Sequence, residues 1–303
     1  MNFPVINIHF ETVINFIYSN MWIKIALYLV LAPFAGGLLA GIDRKFSAYM
    51  QGRTGPPVIQ PFYDILKLIK KETIKINRFQ NFTIFLFSLL IIITGVFFFS
   101  GGELLLVMFC LLLAGVFFVL SGFTHNSPYS HIGAERELIQ MMSYDPMILI
   151  VAIGMYMVTG TFKVERIAAL EYPLISYLPG IFFGYCYMLT FKFRKSPFDL
   201  SMSHHAHQEL VKGLVTEFSG KTLALIEVVH WYENIMLLGI VYLFFAYNPA
   251  LAVAVCLLVW VSETFIDNTF ARFKWDLAFK SAWIVTVIAG ISNILVLYFI
   301  LPK

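Results

Sequence analysis

The chain has 303 residues, of which 59% are hydrophobic, 17% aromatic and only 13% charged. Soluble proteins carry about a quarter of their residues as charged side chains, so this composition excludes a soluble enzyme, a nucleic-acid-binding protein and a disordered scaffold. It indicates a membrane protein, in which the positions of the 21 basic and 18 acidic residues matter more than the net charge of +3.

Eight apolar segments are each long enough to cross the roughly 30 Å core of a bilayer as a helix. They lie at about 21–41, 82–100, 103–122, 146–162, 174–191, 222–246, 249–266 and 279–300. Their apolar residues are continuous rather than alternating, which favours helices over the strands of a membrane barrel. We therefore predict an all-α, polytopic integral membrane protein with about eight transmembrane helices, forming a single transmembrane domain over 1–303.

Lys and Arg are concentrated in alternate connections between these segments, which contain 17 of the 21 basic residues. Cytoplasmic loops carry an excess of Lys and Arg. The connections at about 42–81, 123–145, 192–221 and 267–278 are therefore predicted to be cytoplasmic, with both termini on the outer face. The first 20 residues contain neither Lys nor Arg, and no small-residue cleavage site, so a removable signal peptide is not expected.

The first of these connections reads DRKFSAYMQGRTGPPVIQPFYDILKLIKKE over 43–72. After the Gly-Pro-Pro turn, Phe62, Ile65, Leu66, Leu68 and Ile69 recur at near-helical spacing, which predicts an amphipathic helix at the membrane interface. Such a helix could serve only as a lipid-surface anchor. However, the succession D-R-K, Y-M-Q-x-R-x-G-P, Q-P-x-x-D-x-x-K-L and K-E resembles a known family, the one containing NADH dehydrogenase subunit 1 of respiratory complex I and the matching membrane subunits of energy-converting [NiFe] hydrogenases.

Three further blocks resemble the same family. Residues 133–145, GAERELIQMMSYD, are similar to its G-x-x-R-x-x-x-Q-x-x-S-Y-E block, with Asp145 in place of the Glu. Residues 196–220 resemble its P-F-D-L, E-L-V-x-G and T-E-Y-S-G blocks, which places Asp199, Glu209 and Glu217 at acidic family positions. Residues 270–276, FARFKWD, are similar to the P-R-Y-R-Y-D block before the last helix.

Two departures from the complex I pattern resemble the hydrogenase branch, of the formate hydrogenlyase and Ech type. Only Pro57, Val58 and Ile59 separate the G-P motif from Q-P, and a Ser-Met-Ser-His-His-Ala-His-Gln stretch replaces an acidic run. His204, His205, His207 and Glu209 within this stretch have side chains that could bind zinc, nickel or iron. The alternative, which the resemblance favours, is a loop that hydrogen-bonds to a docked partner subunit.

The sixth apolar segment contains a polar face formed by Glu227, His230, Glu233 and Asn234. Ionised groups inside a membrane are expensive, so such a face either pairs internally or carries protons or ions. The candidates for ion translocation are Asp145, Glu209, Glu217, Glu227, His230 and Glu233. The candidates for partner docking or for the inlet are Asp43, Arg44, Arg53, Asp64, Glu135, Arg136, Asp199, His204, His205, His207, Arg272 and Asp276. Glu103 and Glu263 are expected to be interfacial, without a role.

The resemblance implies a membrane anchor and ion-coupling subunit in the cytoplasmic membrane of a bacterium or archaeon. Cys110, Cys186 and Cys256 lie far apart in apolar runs, so no cofactor or metal is expected in this chain. The [NiFe] centre and iron–sulfur clusters are expected in partners: the hydrogenase large and small subunits and an iron–sulfur protein, beside an antiporter-like membrane subunit. The alternatives are a quinone- or methanophenazine-site subunit and a stand-alone secondary transporter, although the two halves show no internal repeat.

Overall fold

The computed structural model describes residues 20–73, 78–201 and 212–300. Within these ranges the regular structure is helical apart from one isolated antiparallel bridge between Glu103 and Lys163. The helices are α1 (Met21–Met50), α2 (Gln60–Lys70), α3 (Arg78–Phe99), α4 (Leu104–Phe123), α5 (Pro128–Thr159), α6 (Val164–Ala168), α7 (Pro179–Lys192), α8 (Gly220–Leu243), α9 (Pro249–Thr269), α10 (Trp275–Val285) and α11 (Ser292–Ile300). A π-helical turn, Thr286–Ile291, joins α10 to α11.

Seven helical spans in the described residues are long and apolar enough to cross a membrane, which confirms an all-α polytopic membrane protein. The remaining predicted span, 174–191, divides into a 3-10 turn, Leu174–Ser176, and the 14-residue helix α7. At 1.5 Å per residue α7 is about 21 Å long, shorter than the roughly 30 Å bilayer core. Apolarity alone overestimated its length, because Pro179 begins a helix instead of continuing one.

Helices α1 and α5 extend far beyond their predicted apolar segments. Helix α1 continues to Met50, and α5 begins at Pro128, so the predicted connection 123–145 is largely helical. Buried polar side chains such as Glu137 and Gln140 occur along the first half of α5. They lower the apparent apolarity of the sequence without interrupting the helix, because they face other parts of the protein.

The predicted amphipathic helix in the first long connection is present as α2. It packs on α8 and α1, with the ring of Phe62 5.3 Å from that of Trp231, while Tyr63 and Leu66 remain exposed. Its entry segment lies against α1 at Gly41, where a Cβ atom would be 1.8 Å from the carbonyl oxygen of Val58. A glycine there allows the two backbones to approach.

Helices α5 and α8 form the centre of the bundle. In each of them 61% of the residues in the most apolar stretch are buried inside the protein. The corresponding share is 28% for α1 and α9 and 17% for the span 275–300. Helix α8 packs against α1, α2, α3 and α9, while α5 packs against α4 and α7. The acidic residues of α5 and α8 therefore lie where they can meet charged side chains from other elements.

Candidate functional site

The segment that ends α7 and follows it carries three bases with little exposure. Lys192 and Lys195 are 8% and 6% exposed, and the side chain of Arg194 is 12% exposed. Arg194 adopts a left-handed backbone conformation with φ of 53°, which is uncommon for a residue other than glycine. The backbone N–H of Lys195 donates to the carbonyl of Thr190, which fixes the segment 192–195 at the end of the helix. We call this segment the basic turn.

Lys192 forms the first ion pair of the basic turn. Its Nζ donates to Oε1 of Glu233 on α8 at 3.1 Å, and the two side chains are 7% and 5% exposed. The ammonium also lies 4.6 Å from the centre of the Tyr144 ring on α5, within the range of a cation–π contact. The charge that α8 buries at Glu233 is therefore compensated from the basic turn.

Arg194 connects two acidic helices. Its guanidinium donates to Oε1 of Glu137 on α5 at 3.3 Å and lies 2.8 Å from Nε2 of His230 on α8. An arginine can only donate, so the imidazole nitrogen that faces it accepts and the ring is neutral. Nδ1 of His230 lies 3.3 Å from Oε2 of Glu233 and 3.1 Å from the same guanidinium nitrogen of Arg194, so the imidazole contacts both charged groups. Glu137 also accepts a hydrogen bond from the hydroxyl of Ser201.

Lys195 forms the third ion pair, on the other side of the turn. Its Nζ donates to Oδ1 of Asp43 on α1 at 2.6 Å and to the Thr264 hydroxyl on α9 at 2.8 Å. Thr264 itself donates to Asp43. Glu263, which was expected to be interfacial, is instead 2% exposed, with Oε2 lacking a hydrogen-bond partner. That expectation was wrong because proximity to a helix end in the sequence does not show which face is covered.

The connection that follows the basic turn is held by an ion pair between Asp199 and the partly buried Arg272. Nε and Nη2 of Arg272 donate to the two carboxylate oxygens of Asp199 at 2.7 and 2.6 Å, a bidentate pair that fixes both distance and orientation. Gln140 on α5 donates to the carbonyl of Phe198, and Arg136 donates to that of Leu200 at 3.4 Å. Residues 198–200 are thereby tied to α5 and to the connection between α9 and α10.

The predicted translocation residues separate into distinct environments. His230 and Glu233 belong to the network around the basic turn, whereas Glu227 is partly buried and makes no hydrogen bond among the described residues. Asp145 has a buried Oδ1 without a hydrogen-bond partner. Glu217 lines a small cavity of about 300 Å³ together with His125, whose ring nitrogens are both unpartnered. Glu209 lies outside the described residues.

The predicted docking residues are also divided. Asp43, Asp199, Arg136 and Arg272 join the contacts described above. The others lie near the surface: Arg44 pairs with Asp64 at 2.6 Å, Asp276 pairs with Lys280 at 3.0 Å, Arg53 donates to Gln51, and Glu135 is exposed. His204, His205 and His207 lie outside the described residues. Across 20–73, 78–201 and 212–300, no group of three or more His, Cys, Asp or Glu side chains could hold a metal ion.

Two groups in the connections have displaced pKa values. Burial lowers the pKa of His125 below its ordinary value; the nearby His131 adds to the effect and Glu217 opposes it. Burial favours the neutral form of Asp64, but hydrogen bonds from Arg44 and Gln60 outweigh that effect and hold its pKa below the usual range.

Sequence reasoning missed the basic turn and Glu137. The KFRK sequence at 192–195 was interpreted only as part of the positive cytoplasmic charge, and Glu137 lies in a recognised block but was not selected. The sequence does contain an indication of this arrangement. Basic residues that directly follow an apolar segment can lie inside a helical bundle when other helices of the bundle contain acidic residues that need a partner. The signal does not identify which acid meets which base.

These features define a class of protein: a polytopic membrane protein whose central helices are joined by buried ion pairs through one short connecting segment. The NADH dehydrogenase family profile matches residues 23–298, so the chain belongs to this family.

The comparisons with individual proteins agree with this assignment. Hydrogenase-4 component C of Escherichia coli K12 is 26% identical over 297 residues, covering 88% of this chain and 91% of that protein. NADH-ubiquinone oxidoreductase chain 1 of Rhipicephalus sanguineus is 27% identical over 308 residues, covering 95% of this chain and 95% of its own length. A solved structure of an archaeal membrane-bound sulfane sulfur reductase contains a chain with a TM-score of 0.77 and 26% identity, covering 90% of this chain and 99% of that one. The protein is therefore a membrane subunit of a complex I-like oxidoreductase.

Proposed function

We propose that the chain is the membrane anchor and ion-coupling subunit of an energy-converting [NiFe] hydrogenase. In this role it docks the large and small hydrogenase subunits and an iron–sulfur protein at the end that carries the basic turn, which faces the cytoplasm. An antiporter-like subunit lies beside it in the membrane. The similarity to Hydrogenase-4 component C and the short spacing between the G-P and Q-P motifs support the hydrogenase branch.

The observation that carries the coupling role is the concentration of three ion pairs on the basic turn, one of them buried and two partly buried. Lys192, Arg194 and Lys195 meet Glu233, Glu137 and Asp43, which belong to three different helices. Taking charges out of water costs several kcal/mol per ion, and well-packed apolar side chains often stabilise a fold as well or better. A bundle that retains three such pairs around one turn has a use for charge there beyond stability.

The contacts around Arg194 offer a route from movement to protonation. The guanidinium lies between the Glu137 carboxylate and the His230 imidazole, so it can shorten one contact only by lengthening the other. When it moves toward Glu137, the imidazole can take up a proton and pair with Glu233. The reverse movement expels that proton, because two cations cannot share the site. Redox-linked movement of a docked subunit would drive the exchange through residues 196–201.

The coupling role is tested in the purified complex reconstituted into liposomes. The double variant Lys192→Met/Glu233→Gln removes one buried pair and leaves neither charge uncompensated. We expect H₂ evolution with a low-potential electron donor to continue, while ion uptake per H₂ falls toward the level seen with an ionophore. Glu103→Gln, which neutralises an exposed carboxylate at the other end of the bundle, is the matched control. Ion uptake per H₂ equal to that of the wild type in the double variant would exclude the pair from coupling.

A second measurement tests the hydrogenase assignment separately. The complex purified through this subunit is assayed for nickel and for H₂ evolution, quinone reduction and sulfane sulfur reduction. Nickel with H₂ evolution and without quinone reduction is the expected result. Quinone reduction without nickel would replace the hydrogenase with a quinone-site subunit, and sulfane sulfur reduction would place the chain with its structural relative. Either result leaves the ion measurements on the double variant as an independent test of coupling.

A further inference from the structure

A large cavity lies at the end of the bundle away from the basic turn. It encloses about 820 Å³ between α1, α3, α6 and α8, within the range of roughly 300 to 1,000 Å³ of sites that bind organic ligands. Its walls include Leu31, Ala35, Phe98 and Leu238. Lys24 lies on the rim of the cavity, and Asp43 of the ion-pair network lies 19 residues further along α1. The two residues are therefore about 28 Å apart along the helix. The charged rim of the cavity is therefore far from the candidate coupling site, whereas its inner wall, which includes Ile235, comes close to Glu233.

Charge is confined to one end of this cavity. Among its lining residues only Lys24 and Glu165 are charged, and their side chains are 3.9 Å apart at the edge of the bundle. From Lys24 the wall follows α1 through Leu27 and Leu31 to Ala35. The 11 residue steps from Lys24 to Ala35 rise about 17 Å, close to half of the roughly 30 Å hydrocarbon core. The shape is that of an amphiphile whose chains reach the middle of the bilayer.

The charges at the rim select the head group. Lys163 and Arg166 are exposed on or beside α6, whose Val164, Glu165 and Ala168 line the cavity. Basic residues are otherwise scarce at this end, so these are not explained by the asymmetry that sets topology. The Glu165 side chain is 68% exposed and Lys24 only 20%. The positive charge of Lys24 adds to that of Lys163 and Arg166 at the same end of the cavity.

We propose that this cavity binds an anionic phospholipid, with its acyl chains between α1, α3 and α8 and its phosphate at Lys24. Basic side chains at the ends of membrane helices are suited to lipid phosphate groups. The site differs from the lipid shell around the bundle because it is a cleft between helices with one charged rim. The bound lipid would fill the gap between the peripheral helix α1 and the central helix α8, and so stabilise the bundle next to the coupling site.

The experiment uses the intact complex in nanodiscs that contain a phosphatidylglycerol with a diazirine in its acyl chain. After irradiation, adducts are mapped by peptide mass spectrometry. We expect labelling of 27–35 and 235–243 that saturates and is displaced by unlabelled phosphatidylglycerol more readily than by phosphatidylcholine. Labelling of Leu295, Val296 and Phe299, which are exposed on α11, should increase in proportion to the probe.

Four variants make the result specific to the rim and the cavity. Lys24→Gln should reduce the saturable labelling roughly fivefold, as expected for one basic residue near an anionic surface. Glu165→Gln, which breaks the same ion pair from the other side, should not reduce it. Ala35→Phe should block it by filling the cavity, and Lys280→Gln at the opposite end should leave it unchanged.

Three outcomes would overturn the proposal. Labelling of the cavity that never saturates would show ordinary surrounding lipid. Full labelling in Lys24→Gln would show that the head group is not recognised there. Labelling that appears only after deletion of residues 1–19 would show that the N-terminal segment, rather than a lipid, occupies the cavity.

Discussion

Replacing Lys192 with Met should destabilise the protein far more than removing both charges of its ion pair. Lys192 Nζ and Glu233 Oε1 are 3.1 Å apart, in side chains that are 7% and 5% exposed. At that distance and an effective dielectric constant of about 20, the attraction is about 5 kcal/mol. Lys192→Met leaves the Glu233 carboxylate buried without its lysine, for which we expect a cost of about 3 to 5 kcal/mol. The double variant Lys192→Met/Glu233→Leu should recover most of this loss, because it buries no charge.

The assay is thermal unfolding of the detergent-solubilised complex. Unfolding is monitored with a dye that reacts with cysteines as they become exposed. The single variant should lower the apparent Tm by about 6 °C or more, from roughly 2 °C per kcal/mol in a chain of this size. The control pair Lys280 and Asp276 is 65% and 47% exposed, and its removal should cost less than about 0.5 kcal/mol. A Lys192→Met variant that behaves like Lys280→Met, with no recovery in the double variant, would refute a buried ion pair at this position.

Three further predictions address other contacts. Asp199→Asn weakens the bidentate pair with Arg272 and should increase hydrogen–deuterium exchange at 198–200, while Asp276→Asn should not. Because burial lowers the pKa of His125, its neutral form contributes stability that is complete above its unfolded pKa of about 6.5 and is lost as the pH falls through the lower folded pKa. His125→Phe should therefore reduce the acid-side fall of the apparent Tm, and an unchanged fall would contradict the assignment. Gly41→Ala places a methyl group 1.8 Å from the Val58 carbonyl oxygen and should cost about 1 to 3 kcal/mol in thermal unfolding.

The long apolar helices and α2 could be predicted from the sequence because the signal for each lies within one segment. A run of about 20 apolar residues without a proline break favours a spanning helix, and the spacing of Phe62, Leu66 and Ile69 is itself the amphipathic pattern. His230 and Glu233 could be paired in advance for the same reason, because residues three apart on a helix are neighbours. Local periodicity thus identifies the part of the candidate site that α8 contributes.

The ion pairs of the candidate site could not be predicted, because the two residues of each pair come from distant parts of the chain. Lys192 and Glu233 are 41 residues apart, Arg194 and Glu137 are 57 apart, and Lys195 and Asp43 are 152 apart. No periodicity relates such positions, and the family-like blocks identify conspicuous loop residues without showing which pairs meet. The same limit explains Glu263, whose burial depends on the packing of α9 against its neighbours and not on its position along the helix.

The arrangement of the basic turn restricts how it can move. From Lys192 to Asp199 the chain has seven residue steps, at most about 25 Å when extended. The Asp199–Arg272 pair and the ion pairs of the basic turn are therefore mechanically close. Glu233, Glu137 and Asp43 are on three separate helices around the turn. A displacement that shortens one pair therefore lengthens another, and a buried charge that loses its partner must be compensated by a proton or an ion. Under the proposed coupling role, a small movement at Asp199 would in this way change protonation inside the bundle without moving the transmembrane helices themselves.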